Sequence, residues 1–225
     1  MKKLFLIMSP ILALSAMATT TFAADQSVAS GWDGFYLGGN IGYGHETWGF
    51  HYYDNQIPAG GTKTVSDGNL IGGLQAGYNW QTESIVYGLE ADLQASSLKS
   101  DQQGGFNFDS CGCFNVAMGS FGTLRARVGA LISPDVLIYG TGGLIVGDLS
   151  YSAADSNPIG ADRHLALGWT AGGGAEFKVS ENTSVKLEGL YYNFGSPYFN
   201  LADTNFNTNL DVNGYIARVG FNVHF

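Results

Sequence analysis

Charged residues in this 225-residue sequence recur two apart: Glu90 with Asp92, Arg125 with Arg127, Glu176 with Lys178, and Lys186 with Glu188. A ninth charge, Arg218, sits inside the closing run NGYIARVGFNVHF. On a β-strand successive side chains point to opposite faces, so residues two apart share a face. Each couple is therefore presented in one direction, and the chemistry this permits is ion pairing between strands. Arg125, Arg127, Arg218, Lys178 and Lys186 against Glu90, Asp92, Glu176 and Glu188 make a nearly neutral set. Glu90 and Asp92 are expected to reach Arg125 and Arg127 on the neighbouring strand.

Other residue types invite other chemistry. His45, His51, His164 and His224 are the possible general bases, and YSAADS at 151–156 crowds serine and aspartate at a loop rim. Nothing in their spacing assembles a nucleophile with a base and an orienting acid, so no catalytic residue is assigned. The stretch HETWGFHYYD places His51, Tyr52 and Tyr53 in a setting aromatic enough for a flat apolar ligand, and both residue types ligate haem iron. A lipopolysaccharide-facing loop explains the same residues. Cys111 and Cys113 in SCGC are read as a local disulfide, with free thiols as the other state; two ligands are too few for a metal site, and no cofactor is expected. The glycine runs GTGGLIVG and AGGGAEF lack a following helix to hold a phosphate, so they do not indicate nucleotide binding.

The elements that carry these residues are strands of alternating polarity. FYLGGNIGYG sets Phe35, Leu37, Ile41 and Tyr43 on one face, and NLIGGLQAGYNW sets Leu70, Leu74, Ala76, Tyr78 and Trp80 opposite Gln75 and Asn79. IVYGLEADLQAS opposes an apolar row from Ile85 to Ala95 to Glu90, Asp92 and Gln94; GTLRARVGALI opposes Leu124, Ala126 and Val128 to Thr123, Arg125 and Arg127. VLIYGTGGLIVG, residues 136–147, is apolar on both faces, which leaves its orientation open. LGWTAGGGAEFKV, SVKLEGLYYNF and the closing segment, with Tyr215, Ala217, Val219, Phe221, Val223 and Phe225 on one face, complete eight. Short connections around 81–84, 133–135 and 180–183 alternate with long polar ones, about 45–68, 97–117, 151–164 and 195–213. Short turns at one rim and long loops at the other describe an all-β, eight-stranded antiparallel up-and-down transmembrane β-barrel with four long extracellular loops and three short periplasmic turns.

Composition points the same way. Residues 1–23 read as a cleaved signal peptide, two lysines followed by an apolar run and the small-residue site at Thr21-Phe22-Ala23, which leaves 24–225 as one barrel domain. Charged residues are 13%, about half the usual ~25%. The net charge of -9 makes nucleic acid an unsuitable partner. An arginine facing lipid at mid-membrane costs ~2–4 kcal/mol, so Arg125, Arg127 and Arg218 must face the lumen or a rim, and parity sends the other six charges with them. In an eight-stranded barrel the interior is just wide enough for side chains to fill, and unpaired buried charge there is strongly destabilising.

GWDGFYLGGNIGYG, LIYGTGGLIVG, GWTAGGGAEFKV and the ending GYIARVGFNVHF resemble the small OmpA-like outer-membrane barrels of alphaproteobacteria, the outer membrane immunogenic or "porin family" proteins, a group with haemin-binding relatives. That resemblance implies an outer-membrane location and a non-enzymatic role in envelope structure and surface contacts, with a narrow porin-like channel or a loop-borne haemin or adhesion receptor as the alternatives. It implies partners in outer-membrane lipid and lipopolysaccharide, and a ligand outside the cell at the loops. The barrel class also implies that the closing strand, with Tyr215, Phe221, Val223 and Phe225 outward, is the signal read by the barrel assembly machinery.

Overall fold

The computed structural model describes residues 31–52, 62–96, 113–154, 158–195, 198–199 and 208–225. They form one antiparallel sheet of nine strands: β1 (Gly34–Tyr52), β2 (Thr62–Thr82), β3 (Ile85–Ser96), β4 (Cys113–Ser133), β5 (Val136–Ala154), β6 (Pro158–Ser180), β7 (Thr183–Asn193), β8 (Tyr198–Phe199) and β9 (Thr208–His224). Neighbours in the chain are neighbours in the sheet, and β9 pairs back onto β1 from Tyr36↔His224 to Tyr52↔Thr208, which closes the barrel. The two-residue β8 only borders the outer start of β9, so the barrel wall has eight strands. Two-residue turns, Glu83-Ser84, Pro134-Asp135 and Glu181-Asn182, join β2 to β3, β4 to β5 and β6 to β7.

The strands run further than the polarity pattern suggests. β1 stays paired with β2 out to His51↔Thr62, and β5 with β6 out to Ala154↔Pro158, so much of 45–68 and 151–164 is strand rather than loop. Likewise β4 begins at Cys113 and β9 at Thr208. An antiparallel hydrogen-bond ladder, once in register, continues whatever the side chains are, provided both faces tolerate water. A bilayer crossing needs about 9–11 residues per strand, whereas β6 has 23 and β1 has 19. The outer ends of these strands therefore project beyond the hydrocarbon.

Alternation sorts the wall cleanly. The outward positions carry exposed apolar side chains such as Leu93 at 74%, Leu74 at 70% and Ile132 at 69%, an arrangement stable only against lipid. Aromatics mark the two edges of this band. Tyr78, Trp80 and Tyr87 cluster outside the short-turn end, with ring centroids 4.9 and 5.7 Å apart, and Trp169, Tyr191 and Tyr215 do so at the other, 5.4 and 5.1 Å apart. Such belts sit at headgroup level. β5, undecided by pattern, takes its orientation from its neighbours: Leu137, Tyr139, Ile145 and Leu149 point in, Ile138, Leu144 and Val146 out.

The seam depends on one backbone feature. Gly34 opens β1 with φ +116°, and a Cβ there would stand 2.6 Å from the carbonyl oxygen of Phe225, while the Phe225 amide donates to the Phe35 carbonyl at 2.9 Å. Residues with side chains pay ~1–3 kcal/mol for such a conformation. Gly34→Ala should therefore lower the urea midpoint of the micelle-refolded barrel, followed by heat-modifiable gel mobility, by the equivalent of about 1–3 kcal/mol. Gly189→Ala, whose Cβ would meet nothing within 4 Å, should leave it unchanged or slightly raised.

Candidate functional site: the barrel lumen

Parity carries eight of the nine charges into the lumen, where the register places some face to face. Glu90 lies opposite Arg125 across β3 and β4, and Glu188 opposite Arg218 across β7 and β9. All eight are buried, from Lys186 and Glu176 at 0% exposure to Glu188 at 5%. Four cations, Arg125, Arg127, Lys186 and Arg218, thus meet four anions, Glu90, Asp92, Glu176 and Glu188, and the set is neutral.

Glu90 is the hub. Lys186 Nζ donates to its two carboxylate oxygens at 2.8 and 2.7 Å, the Tyr36 hydroxyl donates to Oε2 at 2.6 Å, and Arg125 donates to Oε1. Arg218 Nη2 stands 3.4 Å from that same Oε1. Arg125 also binds Asp92 at 3.0 Å and Glu188 at 3.1 Å, while Arg218 binds Asp92 at 3.1 Å and Glu188 at 2.5 Å. Neutral groups complete the carboxylates: Thr123 donates to Asp92 at 2.7 Å and Tyr139 to Glu188 at 2.8 Å. Charge-assisted bonds of this kind are the strong ones. Space for them comes from glycine on the same face: a Cβ at Gly42 would lie 2.6 Å from Arg218 Cβ.

A second layer lies nearer the short-turn end, which the class makes periplasmic. Arg127 was expected to serve Glu90 and Asp92; instead it binds Glu176 at 2.6 Å and approaches Glu90 only to 3.8 Å. Its guanidinium is drawn there by the Tyr139 ring, 4.2 Å below it, and by the Tyr36 hydroxyl at 3.1 Å. Glu176 accepts further bonds from Ser184 at 2.5 Å and Asn222 at 2.7 Å, and Asn222 continues through Gln75 at 2.6 Å to Asn40 at 3.0 Å. Lys178 lies at the edge of this layer. Its strand has reached the rim by that point, and Nζ donates to the Gly31 carbonyl at 2.9 Å and stands 5.0 Å from the Trp32 ring centroid.

Among the described residues, Ser184, His224 and Glu176 form an arrangement that resembles a hydrolytic site, with Ser184 Oγ 2.9 Å from His224 Nε2. The carboxylate faces that same Nε2, at 3.7 Å, and His224 Nδ1 has no hydrogen-bond partner among the described residues. A catalytic triad needs the acid on the far nitrogen, and these side chains are buried, so the cluster lacks the geometry of a triad. Of the other histidines, His45 points outward from β1, and the backbones of His51 and Tyr52 lie in the outer end of β1 and that of His164 in β6. Tyr53 and Cys111 lie outside the described residues, and Cys113 is the first residue of β4. Tyr215, Phe221, Val223 and Phe225 project outward along the closing strand, exposed to 60%, 51%, 37% and 74%.

Sequence reasoning overlooked Tyr36, Tyr139 and Ser184, which donate to the carboxylates. Tyr36 and Ser184 share the inward parity of their strands and were there to be found; Tyr139 lies on the strand whose orientation the pattern left open. Trp32 lay within the quoted GWDGFYLGGNIGYG segment, but nothing in its sequence position indicated its packing. It precedes β1, yet is 0% exposed and packs with Val86, Leu137 and Tyr139 across the periplasmic mouth.

Because three carboxylates share Arg125, Arg125→Leu should destabilise the folded barrel by about 3–5 kcal/mol. Glu90→Leu and Lys186→Leu combined should cost clearly less than the sum of the two single changes. Urea titration in micelles reads both, and strict additivity would contradict direct pairing.

The outer membrane protein beta-barrel domain family matches residues 10–225. The 31 kDa outer-membrane immunogenic protein of Brucella melitensis is 34% identical over 233 residues, covering 95% of this chain and 95% of that protein. The 22 kDa outer membrane protein of Rhizobium leguminosarum bv. viciae is 32% identical over 204 residues, 88% of this chain and 80% of that one. Among solved structures, Neisserial surface protein A superposes with a TM-score of 0.51 at 14% identity, covering 85% of this chain and 97% of its own, a likeness of fold alone. Closure, an outward apolar band, inward charge and these matches agree: the chain belongs to the outer membrane protein beta-barrel domain family and resides in the outer membrane.

Proposed function

We propose that this protein is a sealed, non-catalytic barrel that contributes to envelope structure and makes surface contacts through the outer ends of its strands and their connections. The observation that carries the reading is the filled lumen. The neutral ion network occupies its middle. Above it, toward the long-strand end, Ile71, Phe121, Ile145, Leu190 and Ile216 form part of a buried apolar cluster. Below it lie Trp32, Val86 and Leu137. An ion entering such a lumen would shed its hydration against apolar side chains and then displace a paired charge, and both steps are costly. That disfavours the narrow-channel alternative. Surface contact is supported by the ladders that continue past the bilayer to His51↔Thr62 and Ala154↔Pro158, and by relatives whose names describe them as immunogenic.

Planar-bilayer recording of the refolded protein tests the reading. Silence is expected. Stable unitary steps that Arg127→Ala alters would establish a conducting lumen and overturn it.

A further inference from the structure

The three residues ahead of β1 are tied to almost every part of the periplasmic rim. The Trp32 amide donates to Gln81 Oε1 at 2.7 Å, and the Gln81 amide returns a bond to Asp33 Oδ1 at 2.6 Å, which joins the segment to the end of β2. Gln81 is itself held to the β2–β3 turn through the Glu83 carbonyl at 2.8 Å. The indole Nε1 donates to the Pro134 carbonyl at 3.1 Å, in the β4–β5 turn. Lys178, at the end of β6, bonds the Gly31 carbonyl and lies over the indole ring. Finally the ring meets the His224 imidazole edge-on, with centroids 5.9 Å apart and planes at 89°. Residues from β2, the β4–β5 turn, β6 and β9 thus converge on one tryptophan.

No pair of adjacent strands provides this site. Gln81, Pro134, Lys178 and His224 come from around the circumference, so they surround one point only once β9 has paired with β1. The indole lies across the mouth, directly against the layer of His224, Ser184 and Glu176. A turn of three residues leading into β1 needs none of these bonds, and an indole placed for lipid would point outward like Trp80.

We propose that Gly31–Asp33 is a strap that seats Trp32 as a stopper in the periplasmic mouth after the barrel has closed. The stopper shuts the polar layer of Glu176, Ser184 and His224 off from the periplasm, and release of the strap exposes that layer while the wall stays intact. Its hydrogen bonds are few and lie at the rim, where local opening is cheaper than global unfolding. The inference goes beyond the sealed-lumen reading, because a barrel blocked at mid-membrane stays electrically silent whether or not its periplasmic end is stoppered.

Thiol accessibility tests it. Ser184→Cys is placed in the mature chain carrying Cys111→Ser and Cys113→Ser, refolded in micelles, and folding is checked by heat-modifiable mobility. A small water-soluble methanethiosulfonate is the probe. With Trp32 present modification should be slow, and Trp32→Phe, which keeps a ring but loses the indole donor, should preserve most of the protection. Trp32→Ala should speed modification by roughly ten-fold or more, the signature of a local rather than a global barrier. Gln81→Ala, which loosens the strap and leaves the ring in place, should give an intermediate rate and serves if Trp32→Ala does not fold. Equal rates in folded Trp32 and Trp32→Ala proteins, or in the parent and Gln81→Ala, would overturn the proposal.

Discussion

Hydrocarbon offers no partner to a backbone amide or carbonyl, and the architecture follows from that one constraint. A sheet can cross a bilayer only if its first and last strands pair, so that no edge is left open. Here the closing ladder runs from Tyr36↔His224 to Tyr52↔Thr208, and Gly34 supplies the conformation that lets β1 meet the terminal residue without a clash. Closure makes two surfaces that share no solvent. Every second residue meets lipid, and every other one meets the inside of a narrow tube.

The second surface is where charge had to go, and tight confinement then decides what charge can do. Removing an ion from water is costly, and only close opposite charges with good hydrogen-bond geometry offset it. The central network meets this requirement by equal numbers of each sign and by sharing: Glu90 alone receives Lys186, Arg125 and Tyr36. Such a network is weak evidence for stability compared with an apolar filling of the same volume. It does impose specificity, because a strand slipped by one residue would carry its charges to the lipid face. In the proposed reading, the same arrangement that rigidifies the core also removes the path a solute would take.

Where the lumen ends, its chemistry changes. Toward the long-strand end the ion network gives way to Ile71, Phe121, Ile145 and Leu190, and toward the short-turn end to Trp32, Val86 and Leu137. Ionic groups are thus held between apolar layers that keep water from competing for their hydrogen bonds. The projecting strand ends lie outside this arrangement and carry none of its constraints, which leaves them free to vary with whatever meets the cell surface.

Alternation along single strands, read from the amino acids alone, was enough to give the barrel, its strand number, its lipid-facing rows and the inward direction of Glu90, Asp92, Arg125, Arg127 and Arg218. A period of two is a local property, so one strand's sequence suffices for it. Partner choice is different. Lys186 faces Glu176 across the β6–β7 ladder yet bonds Glu90 on the far wall, and Arg127 leaves its neighbours on β3 for Glu176 on β6. These pairings depend on curvature and on which tips reach one another across the tube, and no sequence separation encodes them. Equally, β5 took its orientation from β4 and β6 because its own two faces were both apolar, and the strands outran their expected ends because the backbone ladder ignores polarity. Trp32 shows the limit most plainly: it precedes β1, and the groups it touches, Gln81, Pro134, Lys178 and His224, lie far apart in the chain and meet only in the tertiary structure.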